Sequence, residues 1–304
     1  MVQRIRRLFP AFIIGAAIVT FGLQPLATIH AQSVGTQAIT LSPTSTDVSI
    51  DPGGTLTKTV DIINSGNDSF NATLSVTPYY VSGANYDPQF TQLPGTVDAS
   101  AWVTFSVTNQ KVAALKTVTV PYTIQVPKNT PSGGYYAVIF AATSTDNNKT
   151  GVVTQNRVGN ILYITVNGPI KSGGSLTATP LPVVSFIGSI PISTKISNSG
   201  GTHFITTATY TVTDITGKQV FSAKTERYVL PQTERTISAT WNPQAFIGIF
   251  TVHRSATVAG NVNTLPDEKI VVINPWFFVI LAFIVGLLLA ILFNRKRWQR
   301  LKHK

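Results

Sequence analysis

The chain has 304 residues, with 23 lysines and arginines against 12 aspartates and glutamates, no cysteine, and charged residues at only 12 %. Arg4, Arg6 and Arg7 open it and Arg295, Lys296, Arg297, Arg300, Lys302 and Lys304 close it, while every acidic residue lies between, so the middle is close to neutral. This distribution excludes a nucleic-acid footprint, which needs a basic face on a folded domain, and the lack of cysteine excludes thiol chemistry, zinc–thiolate sites and a disulfide framework.

Residues 1–31 read as a secretory signal: an arginine-rich start, an apolar run from Ala11 to Leu23 broken only by Thr20, and a small-residue cleavage point after Ile29-His30-Ala31. Retention of this segment as a second anchor is the competing topology; its shortness and Pro25 favour cleavage. An exported chain of this size without disulfides fits a bacterial or archaeal surface. The Asn-x-Ser/Thr sites at Asn67, Asn71 and Asn148 are expected by chance in a chain so rich in these residues.

From residue 37 onward the pattern is that of strands. In Thr117 to Val126 the residues Val118, Val120, Tyr122, Ile124 and Val126 share one phase and polar residues the other, with Pro121 on the polar phase suggesting an edge strand. The same period runs through Leu162, Ile164 and Val166, through Ala208, Tyr210 and Val212, and through Ile237, Ala239 and Trp241. Turn signals such as Asp51-Pro52-Gly53-Gly54, Asn64-Ser65-Gly66-Asn67, Pro131-Ser132-Gly133-Gly134 and Asn198-Ser199-Gly200-Gly201 separate the runs. Many short strands at this spacing make a sandwich architecture.

An internal echo divides the region. Ile62-Ile63-Asn64-Ser65-Gly66 has a counterpart in Ile196-Ser197-Asn198-Ser199-Gly200, and Gly134-Tyr135-Tyr136-Ala137-Val138-Ile139 one in Gly248-Ile249-Phe250-Thr251-Val252. We therefore expect a first domain over 37–168, a linker over 169–174 containing Pro169 and Lys171-Ser172-Gly173-Gly174, and a second domain over 175–273. Residues 276–293 hold 18 positions without a charged or strongly polar side chain, enough at roughly 1.5 Å per residue to span most of a bilayer core. Trp276 suits the lipid interface, and the basic tail 294–304 belongs inside the cell, with Arg295, Lys296, Arg297 and Arg300 at lipid head groups. The predicted location is the plasma membrane, in a single pass with the β region outside.

No Gly-x-Ser-x-Gly elbow, Ser-x-x-Lys nucleophile, phosphate-binding glycine loop or calcium loop occurs. His203 and His253 have no second ligand at metal spacing, and the adjacent Asp267 and Glu268 point to opposite faces of an extended segment, so we expect neither enzyme nor cofactor. Convergence of Asp87 and Asp98 in a cleft would reopen that question. The binding candidate is the loop 79–100, whose Tyr79, Tyr80, Tyr86 and Phe90 are suited to stacking on a sugar ring or a partner surface; the alternative is that such rings, with Trp102, fill the end of the core. Lys224, Arg227 and Arg235 read as a solvated strand face or a lipid-facing group. Ala282, Gly286 and Ala290 form a small-residue helix face fit for close packing with another membrane helix.

The signal segment, the proline-glycine turn before Thr57-Lys58-Thr59-Val60-Asp61-Ile62-Ile63-Asn64, the strand start at Pro131-Ser132-Gly133-Gly134-Tyr135-Tyr136-Ala137, the second β domain, the single membrane helix and the basic tail together resemble the WxL-interacting cell-surface proteins of Gram-positive bacteria. The resemblance covers nearly the whole chain at the level of architecture. It implies a membrane-tethered adaptor whose first domain meets peptidoglycan and whose second meets another cell-surface protein. The expected fold is all-β, two tandem immunoglobulin-like β-sandwiches followed by a transmembrane α-helix. A structural accessory subunit of an export or wall-assembly complex, and a generic adhesin, are the alternative functions.

Overall fold

The computed structural model describes residues 38–302 apart from 84, 145–155, 187 and 246; the expected signal segment lies outside these residues. The first sandwich contains β1 (Ile39–Ser42), β2 (Ser45–Ile50), β3 (Thr55–Asn64), β4 (Phe70–Pro78), β5 (Tyr80–Ser82), β6 (Asp87–Gln89), β7 (Val103–Phe105), β8 (Asn109–Val112), β9 (Thr117–Gln125), β10 (Gly133–Ser144) and β11 (Arg157–Val166). The second contains β12 (Gly174–Ala178), β13 (Val184–Ser185), β14 (Ile190–Asn198), β15 (Phe204–Asp214), β16 (Gln219–Val229), β17 (Thr233–Trp241), β18 (Ile247–Val258), β19 (Asn261–Thr264) and β20 (Glu268–Ile273). The chain then enters α1 (Pro275–Lys302).

In the first sandwich a sheet ordered β1-β3-β9-β7 faces one ordered β2-β11-β10-β4-β8. The opening segment changes sheets, pairing antiparallel with β3 through β1 and parallel with β11 through β2. The second sandwich repeats the plan: β12-β14-β17 faces β13-β20-β18-β15-β16, and the opening segment again switches from β14 to a parallel pairing with β20. Both units have the paired-sheet layout of an immunoglobulin-like sandwich. Alternation supplies their cores. Val120, Tyr122, Ile124 and Val126 point inward with Ile62, Leu162 and Ile164, and the second core gathers Tyr210, Val212, Ile192, Trp241 and Val252. Each such side chain contributes about 1.5–3 kcal/mol by leaving water.

Pro121 does not mark an edge, because β9 lies between β3 and β7. β7 ends at the pair Phe105 and Tyr122, however, and the Pro121 carbonyl points to that side, accepting from the Ser106 N–H at 3.4 Å. The nitrogen without a proton therefore faces the place where the ladder has stopped.

The sequence echo corresponds to one repeated device. Asn64 closes β3 and Asn198 closes β14, and both side chains are buried. The Asn64 amide donates to the Asp68 and Ala113 carbonyls at 2.8 and 3.0 Å and accepts from the Gly66 N–H at 2.9 Å. Asn198 donates to Thr202 and Val229 at 2.9 Å each and accepts from Gly200 at 2.8 Å. Each asparagine thus satisfies a tight turn and ties it to a distant strand end.

At the other end, Asn274 alone separates β20 from α1. Its side chain accepts from the Trp276 N–H at 3.0 Å and Pro275 takes the first helical position, which is a helix start that needs no further partner. Pro275–Leu292 is long and apolar enough to cross a membrane. The helix continues beyond it through the basic tail to Lys302. The side chains of Arg295, Lys296, Arg297 and Arg300, expected at lipid head groups, lie outside the described set.

Candidate functional site

β10 and β11 are apolar on both phases. Ala137, Ile139 and Ala141 enter the first core with Leu162 and Ile164, whereas Val138, Phe140, Ile161 and Tyr163 project from the opposite face. Two-sided apolarity requires a cover on that outer face. Part of the cover comes from the second sandwich: Leu230 joins the cluster, and Tyr228 stacks on Tyr163 with ring centroids 3.9 Å apart and planes 14° from parallel. The Tyr136 hydroxyl accepts from the His203 backbone N–H at 3.0 Å, and His203 Nε2 lies 3.1 Å from the Asp47 carboxylate. Backbone contact adds to this, with Gly134 N–H donating to the Gly201 carbonyl at 2.9 Å. The connecting residues are fixed as well, since the Pro169 carbonyl accepts from Ser132 and the Lys171 carbonyl from the Gly201 N–H.

The rest of the cover is the β5–β6 hairpin. Tyr86 at its turn has φ 63°, a left-handed conformation that costs a non-glycine residue about 1–2 kcal/mol. Its ring is held in compensation: the hydroxyl accepts from the Leu230 N–H at 2.5 Å, lies 3.1 Å from the Thr233 hydroxyl, and the Arg235 guanidinium sits 4.3 Å from the ring centroid. Arg235 also donates to the Tyr228 carbonyl at 2.6 Å. Burial pushes the Tyr79 phenol up to about 12, raises those of Tyr86, Tyr136 and Tyr163, and lowers the Arg235 guanidinium. All of these shifts follow from removing charged forms from water.

The four rings singled out in the sequence therefore do not form one exposed platform. Tyr79 is buried within the cluster and Tyr86 is a strut between sandwiches. Phe90 is 40 % exposed and rests edge-on against Phe140 at 5.0 Å. Tyr80 is half-buried and lines a cleft. Trp102 belongs to the first core, and Arg235 is an interface residue, not part of a solvated strand face. Lys224 and Arg227 are exposed on β16.

The cleft, of about 610 Å³, opens between the loop after β4 and the β16–β17 turn. Tyr80, Tyr135 and Tyr136 provide half-buried aromatic surface, Thr91, Thr96 and Thr233 provide hydroxyl oxygens, and none of its lining side chains is charged. Asp87 and Asp98 are not among them. The Asp98 carboxylate accepts from the Ser100 N–H at 2.9 Å, capping a short 3-10 turn over Ala99–Trp102.

No family model matches the chain, and no curated protein matches it. Among solved structures it is similar to the class 5 fimbriae chaperone CfaA, at 8 % identity over 78 % of this chain and 99 % of that one, with a TM-score of 0.40. It is also similar to the Escherichia coli chaperone DraB, at 11 % identity, 77 % and 98 % coverage and a TM-score of 0.37. A third likeness is to a chaperone–tip adhesion subunit pre-assembly complex from archaic Csu pili of Acinetobacter baumannii, at 10 % identity, 78 % and 99 % coverage and a TM-score of 0.38.

The remaining sequence candidates are placed as follows. Asp267, just before β20, lies 2.7 Å from His253, while Glu268 at its start pairs with the fully buried guanidinium of Arg254, so the two adjacent carboxylates point to opposite sides. Ala282, Gly286 and Ala290 share one exposed face of α1, and among the described residues a methyl group added at Gly286 would meet nothing within 4 Å beyond its chain neighbours and the helix's own backbone.

Proposed function

We propose that the chain is a membrane-anchored binding protein of the bacterial cell surface, whose two coupled sandwiches hold the inter-sandwich cleft ready for a neutral wall glycan. The observation that supports this best is the uncharged lining, in which half-exposed tyrosine rings stand among threonine hydroxyls. Sugars present apolar faces that stack on such rings and hydroxyls that bond to such groups. The reading agrees with the resemblance to WxL-interacting proteins, and α1 supplies the anchor that confines the cleft near the wall and raises its effective concentration there.

The test is cosedimentation of the purified full chain, in mild detergent, with isolated cell walls. Tyr80→Ala removes a cleft wall without touching the strut at Tyr86, and it is expected to weaken binding about tenfold, in line with about 1–2 kcal/mol for one stacked ring. Wild-type protein that stays in the supernatant would overturn the wall reading. The open Ala282-Gly286-Ala290 face favours a second reading, an accessory subunit of a membrane complex. Gly286→Leu would then disperse a copurifying complex, whereas a simple anchor would tolerate it.

A further inference from the structure

The second sandwich carries an apolar rim around the point where the chain leaves it for α1. Strand register defines that end: Ile247 pairs with Ile273, Val184 with Val271, and Phe250 with Asp214, which brings in the turn between β15 and β16. Six large apolar side chains stand exposed there, Val183, Phe186, Ile215, Val220, Ile247 and Ile249, with Val183 at 75 % and Ile215 at 79 %. A groove of about 510 Å³, lined by Trp241 and Phe250 and edged by Asp214, Asn242 and Gln244, runs between the Ile215–Val220 side and the Ile247–Ile249 side. Phe186 lies 6.1 Å from Phe278 of the helix, ring to ring. Loop ends of a sandwich facing water carry polar turn residues; six large exposed apolar side chains gathered at one end, among a few polar ones, mark a surface with a partner.

Position identifies the partner. A bilayer that receives α1 must begin near Pro275, and a fully extended residue spans only about 3.5 Å, so its interface lies immediately beneath Ile273. The geometry points to this rim being immersed in the head-group and acyl-chain boundary of the same outer leaflet, which makes the second sandwich a membrane-seated domain rather than one carried above the lipid. The inference rests on reading α1 as the anchor. Lys218, exposed in the turn beside Ile215, is placed to reach lipid phosphate while the isoleucines enter the apolar layer. Seating at a second point besides the helix fixes the tilt of both sandwiches, and with it the direction in which the cleft opens.

The absence of native cysteine permits site-specific labelling of the whole chain. Ile215→Cys, Ile247→Cys, Leu115→Cys and Val285→Cys variants, each carrying a bimane fluorophore, are reconstituted in phosphatidylcholine–phosphatidylglycerol vesicles containing lipids brominated near the top of the acyl chain or, for the Val285 label at the bilayer centre, near the chain end. Leu115 is exposed between β8 and β9, at the end of the first sandwich remote from the second. Labels at Ile215 and Ile247 are expected to be quenched about threefold more strongly than that at Leu115, as depths of about 5–10 Å into the boundary require. Equal quenching at the three sites, with Val285 quenched, would overturn the seating while leaving the anchor intact. Labels at Ile215 and Ile247 shielded from an aqueous quencher yet untouched by bromolipid would assign the rim to a protein partner and overturn it as well. An unquenched Val285 label would remove the anchor itself.

Discussion

Replacing Tyr86 by phenylalanine tests whether the hydroxyl of that residue locks the two sandwiches together. The substitution keeps the ring beneath Arg235 and deletes the oxygen that accepts from the Leu230 N–H at 2.5 Å. Leu230 is 3 % exposed, so its N–H has no ready access to water, and leaving such a donor unpaired costs about 1–3 kcal/mol. The closed arrangement should lose a factor of about five to 160 relative to an undocked one. Tyr86→Ala should cost more, adding about 0.5–2 kcal/mol for the lost ring and guanidinium contact. Two readouts apply to the full chain in micelles: urea unfolding, and the distance between spin labels at Leu115→Cys and Val262→Cys, exposed sites on the first and second sandwich. Wild type should give one narrow distance distribution and one unfolding transition. Tyr86→Phe should broaden the first and split the second. A phenylalanine variant that matches wild type in both would refute the strut, whatever the alanine variant does.

Asn198→Ala should destabilise the second sandwich by about 2–3 kcal/mol, because the buried amide serves the Thr202 and Val229 carbonyls and the Gly200 N–H together; Asn64→Ala should cost the first sandwich a similar amount in urea melts. Glu268→Leu should lower stability by about 3–5 kcal/mol in thermal melts, because the buried Arg254 guanidinium keeps only the Thr179 and Ser193 carbonyls and loses its countercharge, whereas Glu268→Gln, which retains an acceptor oxygen, should cost less. Tyr79 titrates near 12, above the usual value of 10, so the folded state holds its proton more tightly than the unfolded chain. Its contribution is complete below pH 10 and disappears as the pH climbs toward 12. Urea midpoints should fall across that window, and Tyr79→Phe should reduce the fall.

Strand alternation made the cores readable: the phase of Val120, Tyr122 and Ile124, and that of Ala208, Tyr210 and Val212, is the phase that is buried. The Asn-Ser-Gly echo pointed to a repeated unit because both copies do the same work at the end of the same strand. The cleft was legible only as a loop rich in aromatics, since what determines each ring's role is a residue distant in sequence. Tyr86 meets Leu230, 144 positions away, and no local pattern announces it. One signal was present and means more than a core strand: Tyr135-Tyr136-Ala137-Val138-Ile139-Phe140 is apolar on both phases, which in an antiparallel sheet demands a second layer. Arg235 was misplaced for the same reason, because its aromatic partner comes from the other sandwich.

The single residue between β20 and α1 makes the molecule a lever. Asn274 caps the helix and the strand before it is bonded into its sheet, so the junction offers little freedom to swivel. Were α1 its sole attachment, a helix tilt of about 20°, common in bilayers, would swing the far end of the second sandwich sideways. Along an arm about 35 Å long, set by strands of 11 to 12 residues, the swing is on the order of 10 Å. A rim seated in the same leaflet would remove that swing, so the position of the cleft would no longer follow bilayer thickness through helix tilt.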